Sequence, residues 1–212
     1  MENVKKSITE LGNPAKPQGD AGKEMLSGMN EHHSAVTEWA VNILDVRSDD
    51  KVLDIGCGGG AAIKRISEKI TTGKVFGIDH SDVSVELSTQ TNAKSVECGK
   101  VRISKASVEA MPFDDNSFDK IITIESFYFW PDPAENLKEV CRVLNKGGKF
   151  LIAADINGDA ELDEKDIEGV KKFGLFNPTL DEFRDLLENA GFIHVVIHTE
   201  KGQKWVCAEG NK

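Results

Sequence analysis

The sequence predicts an α/β fold, a doubly wound and mostly parallel sheet of seven strands finished by a C-terminal antiparallel hairpin. Three observations carry this expectation. Short apolar runs of strand length alternate with helical stretches from residue 30 onward. The first run ends in Asp54-Ile55-Gly56-Cys57-Gly58-Gly59-Gly60, a glycine turn set between a strand and a helix. Only Lys201, Gly202 and Gln203 separate the last two runs, too short a link for anything but a hairpin.

In chain order, residues 1–24 are polar and punctuated by Gly12, Pro14, Pro17, Gly19 and Gly22, which reads as a mobile N-terminal arm. Residues 25–212 read as one domain. Val36, Trp39, Ala40, Ile43 and Leu44 fall on one helical face, with Asn30 as the expected N-cap. KVLDI (51–55) is a buried strand, and 61–70 reads as a helix. KVFGID (74–79) is the second strand, and Ser81 opens a second, rather polar helix. Residues 101–104 and KIITI (120–124) are the third and fourth strands. Pro133 suits the first turn of a helix reaching Leu144, because its missing N–H has no intrahelical partner there. Gly147 and Gly148 are expected to stop that helix before a fifth strand at 149–154. A small acidic insert near 156–178 could cap a site. Thr179 then caps a helix that ends at Gly191, before the hairpin strands 192–198 and 204–208.

A chain of 212 residues can bury a core without staples. The formal charge is −10, from 26 basic and 36 acidic residues, which disfavours a broad nucleic-acid or anionic-membrane surface. No apolar run reaches the ~20 residues of a membrane helix, and residues 1–20 lack the apolar core of a secretory signal. Cys57, Cys98, Cys141 and Cys207 show no CxxC spacing, so neither disulfides nor a metal site is expected. A cytoplasmic monomer or homodimer fits these features.

Glycines at 56–60 allow positive φ and close backbone approach, and the helix behind them offers unpaired N–H groups. Asp79 closes the second strand, 23 residues after Gly56, where a carboxylate can accept from both hydroxyls of a ribose. Together these specify a Rossmann-like nucleoside-binding sheet. A pyrophosphate-bearing nicotinamide cofactor is the weaker alternative. The acid Asp54 directly precedes the loop, alanine replaces a third spaced glycine, and the single tyrosine, Tyr128, has Asp132 rather than lysine at i+4. An acid at 54 suits a cationic ligand instead.

VLDIGCGGG (52–60) resembles the first motif of class I S-adenosylmethionine-dependent methyltransferases, and VFGIDHS (75–81) resembles their second. AMPFDDNSFD (110–119), LNKGG (144–148) and the segment 180–192 are similar to later motifs, in the expected order. The broad small-molecule subgroup that includes ubiquinone- and menaquinone-methylating enzymes is the nearest likeness. The resemblance implies S-adenosyl-L-methionine as cofactor and a small-molecule methyl acceptor. It places Gly56, Cys57 and Gly58 against the methionine part of the cofactor, Asp54 at the loop or the amino group, and Asp79 on the ribose. His80 would lie on the adenine face, with Ser107, Val108 and Glu109 at its edge and Ile124 at the end of the fourth strand. Many relatives have an aspartate where this chain has Ser107.

Methyl transfer is an in-line displacement, so a protein mainly positions and desolvates the nucleophile. A base is needed only for a protonated acceptor, and His33, Glu125 and Tyr128 are the candidates. The aromatic run Phe127-Tyr128-Phe129-Trp130 cannot all face one core; Tyr128 or Trp130 is expected at the pocket and Phe127 and Phe129 as plugs. Other readings kept open are a non-catalytic cofactor-binding module and a protein methyltransferase. Residues 155–166 imitate a calcium loop, but Ala160 and Asp166 replace its glycine and glutamate. Nucleic-acid base methylation is disfavoured because IESF follows strand four, not an Asn/Asp-Pro-Pro-aromatic motif.

Overall fold

A computed structural model describes residues 12–212. Its helices α1 (Gly19–His32) and α2 (Ser34–Leu44) precede β1 (Lys51–Ile55) and α3 (Ala61–Lys69). Then follow β2 (Lys74–Asp79), α4 (Asp82–Thr91), α5 (Ala93–Glu97), β3 (Val101–Lys105) and β4 (Phe118–Ile124). A 3-10 turn (Phe127–Phe129) leads to α6 (Pro133–Val143) and β5 (Leu144–Ala154). The chain closes with α7 (Glu164–Phe173), α8 (Leu180–Asn189), β6 (Ile193–Thr199) and β7 (Val206–Asn211).

The seven strands form one sheet in the order β3-β2-β1-β4-β5-β7-β6. The first five are parallel, whereas β7 runs antiparallel to both β5 and β6. This is the expected architecture. The hairpin inserts its second strand between β5 and the edge strand β6. The order reverses between β1 and β4, and the loops at the carboxyl ends of those two strands flank the crevice where such sheets hold ligands.

Strand periodicity sorts the core into two layers. Leu53 and Ile55 of β1, Ile121 of β4, and Phe150, Ile152 and Ala154 of β5 belong to one cluster, with Leu137 and Val140 of α6 and Phe183 and Leu187 of α8. Val52, Ile122, Leu151 and Ala153 face the other way, onto Ala40, Val41 and Leu44 of α2 and Ile63 and Ile66 of α3. Both faces of the parallel strands are covered, which is why KVLDI and KIITI read as continuous apolar runs rather than alternating ones.

Capping follows the sequence in three places. Ser81 accepts from the Ser84 amide at 3.4 Å, Asp132 caps α6 with Pro133 in its first turn, and Thr179 and Glu182 form a reciprocal capping box on α8. Elsewhere the boundaries move. The long helix expected from Asn30 is two helices, and Asn30 lies inside the first, because the helical phase breaks at His33 (φ −86°, ψ 11°). Helix α6 ends at Val143, so Gly147 and Gly148 sit within β5 next to a register shift against β4, not at a helix end.

The N-terminal boundary moves as well. Helix α1 starts at Gly19, and Gly22 is buried, where a Cβ would meet the Pro17 carbonyl carbon at 2.8 Å. Residues 12–18 pack on the body of the protein through the Ser81 hydroxyl, which donates to the Pro17 carbonyl at 3.2 Å. Residues 1–11, the rest of the arm, lie outside the described residues. Among the described residues, no helix is long and apolar enough to cross a membrane.

Candidate active site

The glycine turn at the carboxyl end of β1 is held from several sides. The amides of Gly56 (φ +72°) and Cys57 both donate to the Ile78 carbonyl, at 2.8 and 3.0 Å. The Gly58 amide donates to Asp79 Oδ2 at 3.0 Å. Asn30 Nδ2 donates to the Gly59 carbonyl at 3.2 Å, and Asn92 Nδ2 to the Gly60 carbonyl at 3.0 Å. A Cβ at Gly56 would collide with the Ser126 hydroxyl, so the turn at β1 and the loop after β4 touch only because residue 56 has no side chain. The expected supply of unpaired amides is therefore smaller than the motif suggests. Four of the loop's N–H groups, those of Gly56, Cys57, Gly58 and Gly60, are engaged in holding the turn itself. Ala61 and Ala62, in the first turn of α3, border the smaller cavity, and the amides of that turn lie outside the helical ladder.

Two adjoining cavities lie over this turn. The larger, about 480 Å³, runs from the glycine loop past Asp79 and His80 to Ser107, Val108 and Glu109, and is walled by Phe129 and Trp130. Its roof is the segment Asn13–Pro17. The smaller, about 80 Å³, lies between Asp54, the glycine loop, Thr37 and His33. Gly56, Gly58 and Glu125 border both. A volume of this size matches a small organic cofactor or substrate.

Most of the residues anticipated for cofactor binding come together here. Asp54 is 2% exposed, its Oδ2 has no hydrogen-bond partner, and it lines the smaller cavity. Burial, reinforced by the nearby charge of Asp79, pushes its carboxyl up to about 7. Asp79 uses Oδ2 on the Gly58 amide and Oδ1 on the Ser81 amide at 2.9 Å, which fixes the carboxylate while leaving a lone pair on each oxygen. His80 is on the rim of the larger cavity, with Nδ1 3.8 Å from Asp79 Oδ1. Ser107 and Glu109 bind each other, the hydroxyl donating to Oε2 at 2.9 Å. Val108 lines the larger cavity and Ile124 the smaller. Cys57 borders the smaller cavity; its thiol packs near Gly77, and burial raises it well above the ordinary cysteine range.

The three catalytic candidates also converge. Glu125 follows β4 in a left-handed conformation (φ 55°), which for glutamate costs on the order of 1 kcal/mol or more. That twist turns its side chain inward, where it is 6% exposed. The Tyr128 hydroxyl donates to Glu125 Oε2 at 2.7 Å, and His33 Nε2 lies 3.6 Å from the same oxygen. Glu125 Oε1 has no partner. Burial, and then the charge of Asp155, pushes the Glu125 carboxyl well above its usual range. Burial brings His33 down to about 4, with Asp155 working in the opposite direction and His32 adding to the fall. Near neutral pH, then, the imidazole is neutral, and burial disfavours ionisation of the neighbouring carboxyl.

The aromatic run distributes differently from expectation. Phe127 is core, but Phe129 joins Trp130 at the cavity wall, and Tyr128 lines neither cavity, reaching the site only through its hydroxyl. A 3-10 turn, not a strand, spaces these side chains by about a third of a turn each. With Asn30 as N-cap, His32 and His33 would fall in the first turn of one helix; His32 instead ends α1 and His33 stands at the α1–α2 junction. The roof from Asn13 to Pro17, with Leu26, Met29 and Asn30 of α1, was not anticipated. Met25, Leu26 and Met29 form an apolar stripe that continues a helix upstream of Asn30, and that was the available signal. In the acidic insert, Asp163 and Asp166 cap α7 and hold Lys204, and Asn157 donates to the Lys204 carbonyl at 2.7 Å, so these side chains serve local structure.

A crevice at the reversal of a parallel sheet, with a glycine turn, a fixed acid ending β2 and a desolvated acid facing a small side cavity, defines an α/β enzyme for a nucleoside cofactor bearing a cationic group. The orphaned Asp54 oxygen fits the ammonium of an amino-acid moiety, and the Asp79 carboxylate fits a ribose. Residues 46–198 match the methyltransferase domain family. The chain belongs to that family: it is a class I S-adenosylmethionine-dependent methyltransferase.

Relatives agree. The methyltransferase YdaC of Bacillus subtilis is 27% identical over 60% of this chain and 70% of its own length. The 27-O-demethylrifamycin SV methyltransferase of Amycolatopsis mediterranei is 29% identical over 77% of this chain and 61% of its own. Among solved structures, an S-adenosylmethionine-dependent methyltransferase from Aquifex aeolicus superimposes with a TM-score of 0.72 at 18% identity, over 91% of this chain and 98% of its own. Geranyl diphosphate methyltransferase in complex with S-adenosylmethionine gives 0.70 at 17% identity, over 96% and 94%.

Proposed function

We propose that this enzyme methylates a small molecule bearing a protonated nucleophile, with His33 as proton acceptor. The observation that carries this is the grouping of His33, Glu125 and Tyr128 where the two cavities meet. When bound, S-adenosylmethionine supplies a methyl group already activated by a sulfonium leaving group. Asp54 would hold its ammonium, the backbone of Gly56, Cys57 and Gly58 its methionine part, and Asp79 the ribose hydroxyls. His80, Ser107, Val108, Glu109 and Ile124 would frame the rest. Trp130 and Phe129 offer apolar and π surface to the acceptor.

His33 is suited to take a proton because burial keeps it neutral. A proton arriving at Nε2 meets Glu125 Oε2 and Asp155 Oδ2, each 3.6 Å away. Tyr128 fixes the orientation of the Glu125 carboxyl. Residues 13–17 border the larger cavity and narrow the way in, which suits a small molecule better than a segment of folded protein. Support for that acceptor class comes from the named substrates of relatives, a rifamycin precursor, sterols and geranyl diphosphate. Incubation with methyl-labelled S-adenosylmethionine and fractionated cell extract is expected to put label into small metabolites. Label confined to macromolecules would favour a protein methyltransferase, and no turnover with any fraction would favour a non-catalytic module.

Asp54 gives a second test. A group whose folded pKa is raised from 3.8 to about 7 binds its proton through the intervening range, and an ammonium ligand needs the ionised form. Cofactor affinity is therefore expected to rise about tenfold between about pH 5.5 and 7. Asp54→Asn should flatten that rise. It should also stabilise the free protein at neutral pH, since the native fold loses stability as pH climbs from 3.8 towards 7 while Asp54 resists ionisation. Affinity that is level with pH in the parent would remove Asp54 from ammonium binding.

A further inference from the structure

The proposed proton acceptor also belongs to a cluster of side chains of metal-ligand type. His32, His33 and Asp155 bring one ligand atom each within 4.8 Å of one another. His33 Nε2 is 3.6 Å and His32 Nε2 3.9 Å from Asp155 Oδ2, and Glu125 Oε2 is 3.6 Å from His33 Nε2. Adjacent residues on a helix do not face the same point. Here the break at His33 between α1 and α2 lets the two rings meet edge to face, with centroids 4.9 Å apart.

From these positions we propose that His32, His33 and Asp155 form a site for a zinc-class divalent cation that clips the α1–α2 junction to the end of β5, with Glu125 beside it. Two imidazoles and a carboxylate are the ligand types such ions prefer, whereas magnesium and calcium take oxygen almost throughout. Ligand atoms around a tetrahedral zinc ion lie about 3.3–3.5 Å apart, as bond lengths of ~2.0–2.1 Å require. The separations of 3.6 and 3.9 Å lie close to that spacing, and His32, two-thirds exposed, is free to swing in and close its gap to His33, which is at most 4.8 Å. The site has an open side for entry and a fourth ligand at His32, while His33 and Asp155 anchor it inside.

The clip has a structural consequence. Helix α1 carries Leu26, Met29 and Asn30 over the glycine loop, so fastening its end to β5 secures one wall of the cofactor crevice. It also has a chemical one, which rests on the role of His33 proposed above: an ion on Nε2 occupies the lone pair that would accept a proton. Zinc filling the site should lower turnover, and removing it should restore turnover.

The test is equilibrium dialysis of the full-length protein against Zn(II), Co(II) and Mg(II), with no cofactor or acceptor present. One equivalent of zinc, a raised melting temperature, and visible d–d absorption with Co(II) are expected. His32→Gln changes an exposed residue outside the transfer machinery and should leave basal turnover unchanged while weakening zinc binding by about 10–100-fold or more, since loss of even an outer-shell partner costs that much. Asp155→Asn should weaken it likewise. Absence of bound zinc in the parent, equal uptake by the parent and H32Q, or a preference for Mg(II) would overturn the site. Zinc held at the site with turnover unaltered would sustain the site and overturn the proton-accepting role of His33 instead.

Discussion

His33→Gln is expected to lower methyl transfer by about 10²–10⁴-fold, the range contributed by a positioned general base, while S-adenosylmethionine still binds. The expectation rests on location and charge. His33 borders the smaller cavity beside Glu125, and burial holds it near 4, so it is neutral wherever the enzyme is assayed above that pH. The same group supplies a readout independent of chemistry. Its folded pKa is depressed below the ordinary 6.5, so between about 6.5 and 4 the unfolded chain binds the additional proton and the native state loses stability as pH falls. H33Q has no imidazole to titrate and should lose less stability than the parent over that window. Single-turnover rates together with melting curves at two pH values check both halves. A variant that folds, binds cofactor and transfers methyl at the parental rate would end the proposed role.

Asp79→Ala should weaken S-adenosylmethionine by about 1–3 kcal/mol, or roughly 5–150-fold, the scale of lost hydrogen bonds to a charged group. Both Asp79 oxygens already hold backbone amides, of Gly58 and Ser81. Part of the loss will therefore be slackening of the glycine turn and of the α4 cap. Asp79→Asn separates the two, because its amide carbonyl still accepts but only one side can. Its affinity should fall between parent and alanine variant, with a smaller drop in melting temperature. Calorimetric titration with S-adenosylmethionine and S-adenosylhomocysteine measures the effect, and unchanged binding in a folded D79A protein would remove Asp79 from the ribose contact.

Much of the molecule was legible in the amino-acid order because the signals were local. A glycine turn needs its glycines at fixed positions, a capping box needs Thr179 and Glu182 three residues apart, and strands buried on both faces need unbroken apolar runs. From such patterns came the seven-stranded sheet, the terminal hairpin and the acid ending β2. The break at His33 was hidden because apolar periodicity runs through α2 without marking where the preceding helix stops. The position of Gly147 and Gly148 was misjudged because glycine ends helices and also loosens strands, and only pairing with β4 selects between them.

What only the tertiary structure decided is the environment of each group. Asp54 reads as an acid beside a loop, but burial beside Asp79 is what holds its proton near neutrality. His33 and Asp155 are 122 residues apart in sequence and 3.6 Å apart in space, and no spacing rule links them. The roof formed by Asn13–Pro17 looked like a polar tail until the Ser81 hydroxyl bound the Pro17 carbonyl. Local sequence settles backbone conformation within a turn or a strand. Desolvation and charge proximity depend on which distant segments the sheet brings together at its reversal, and those govern the chemistry.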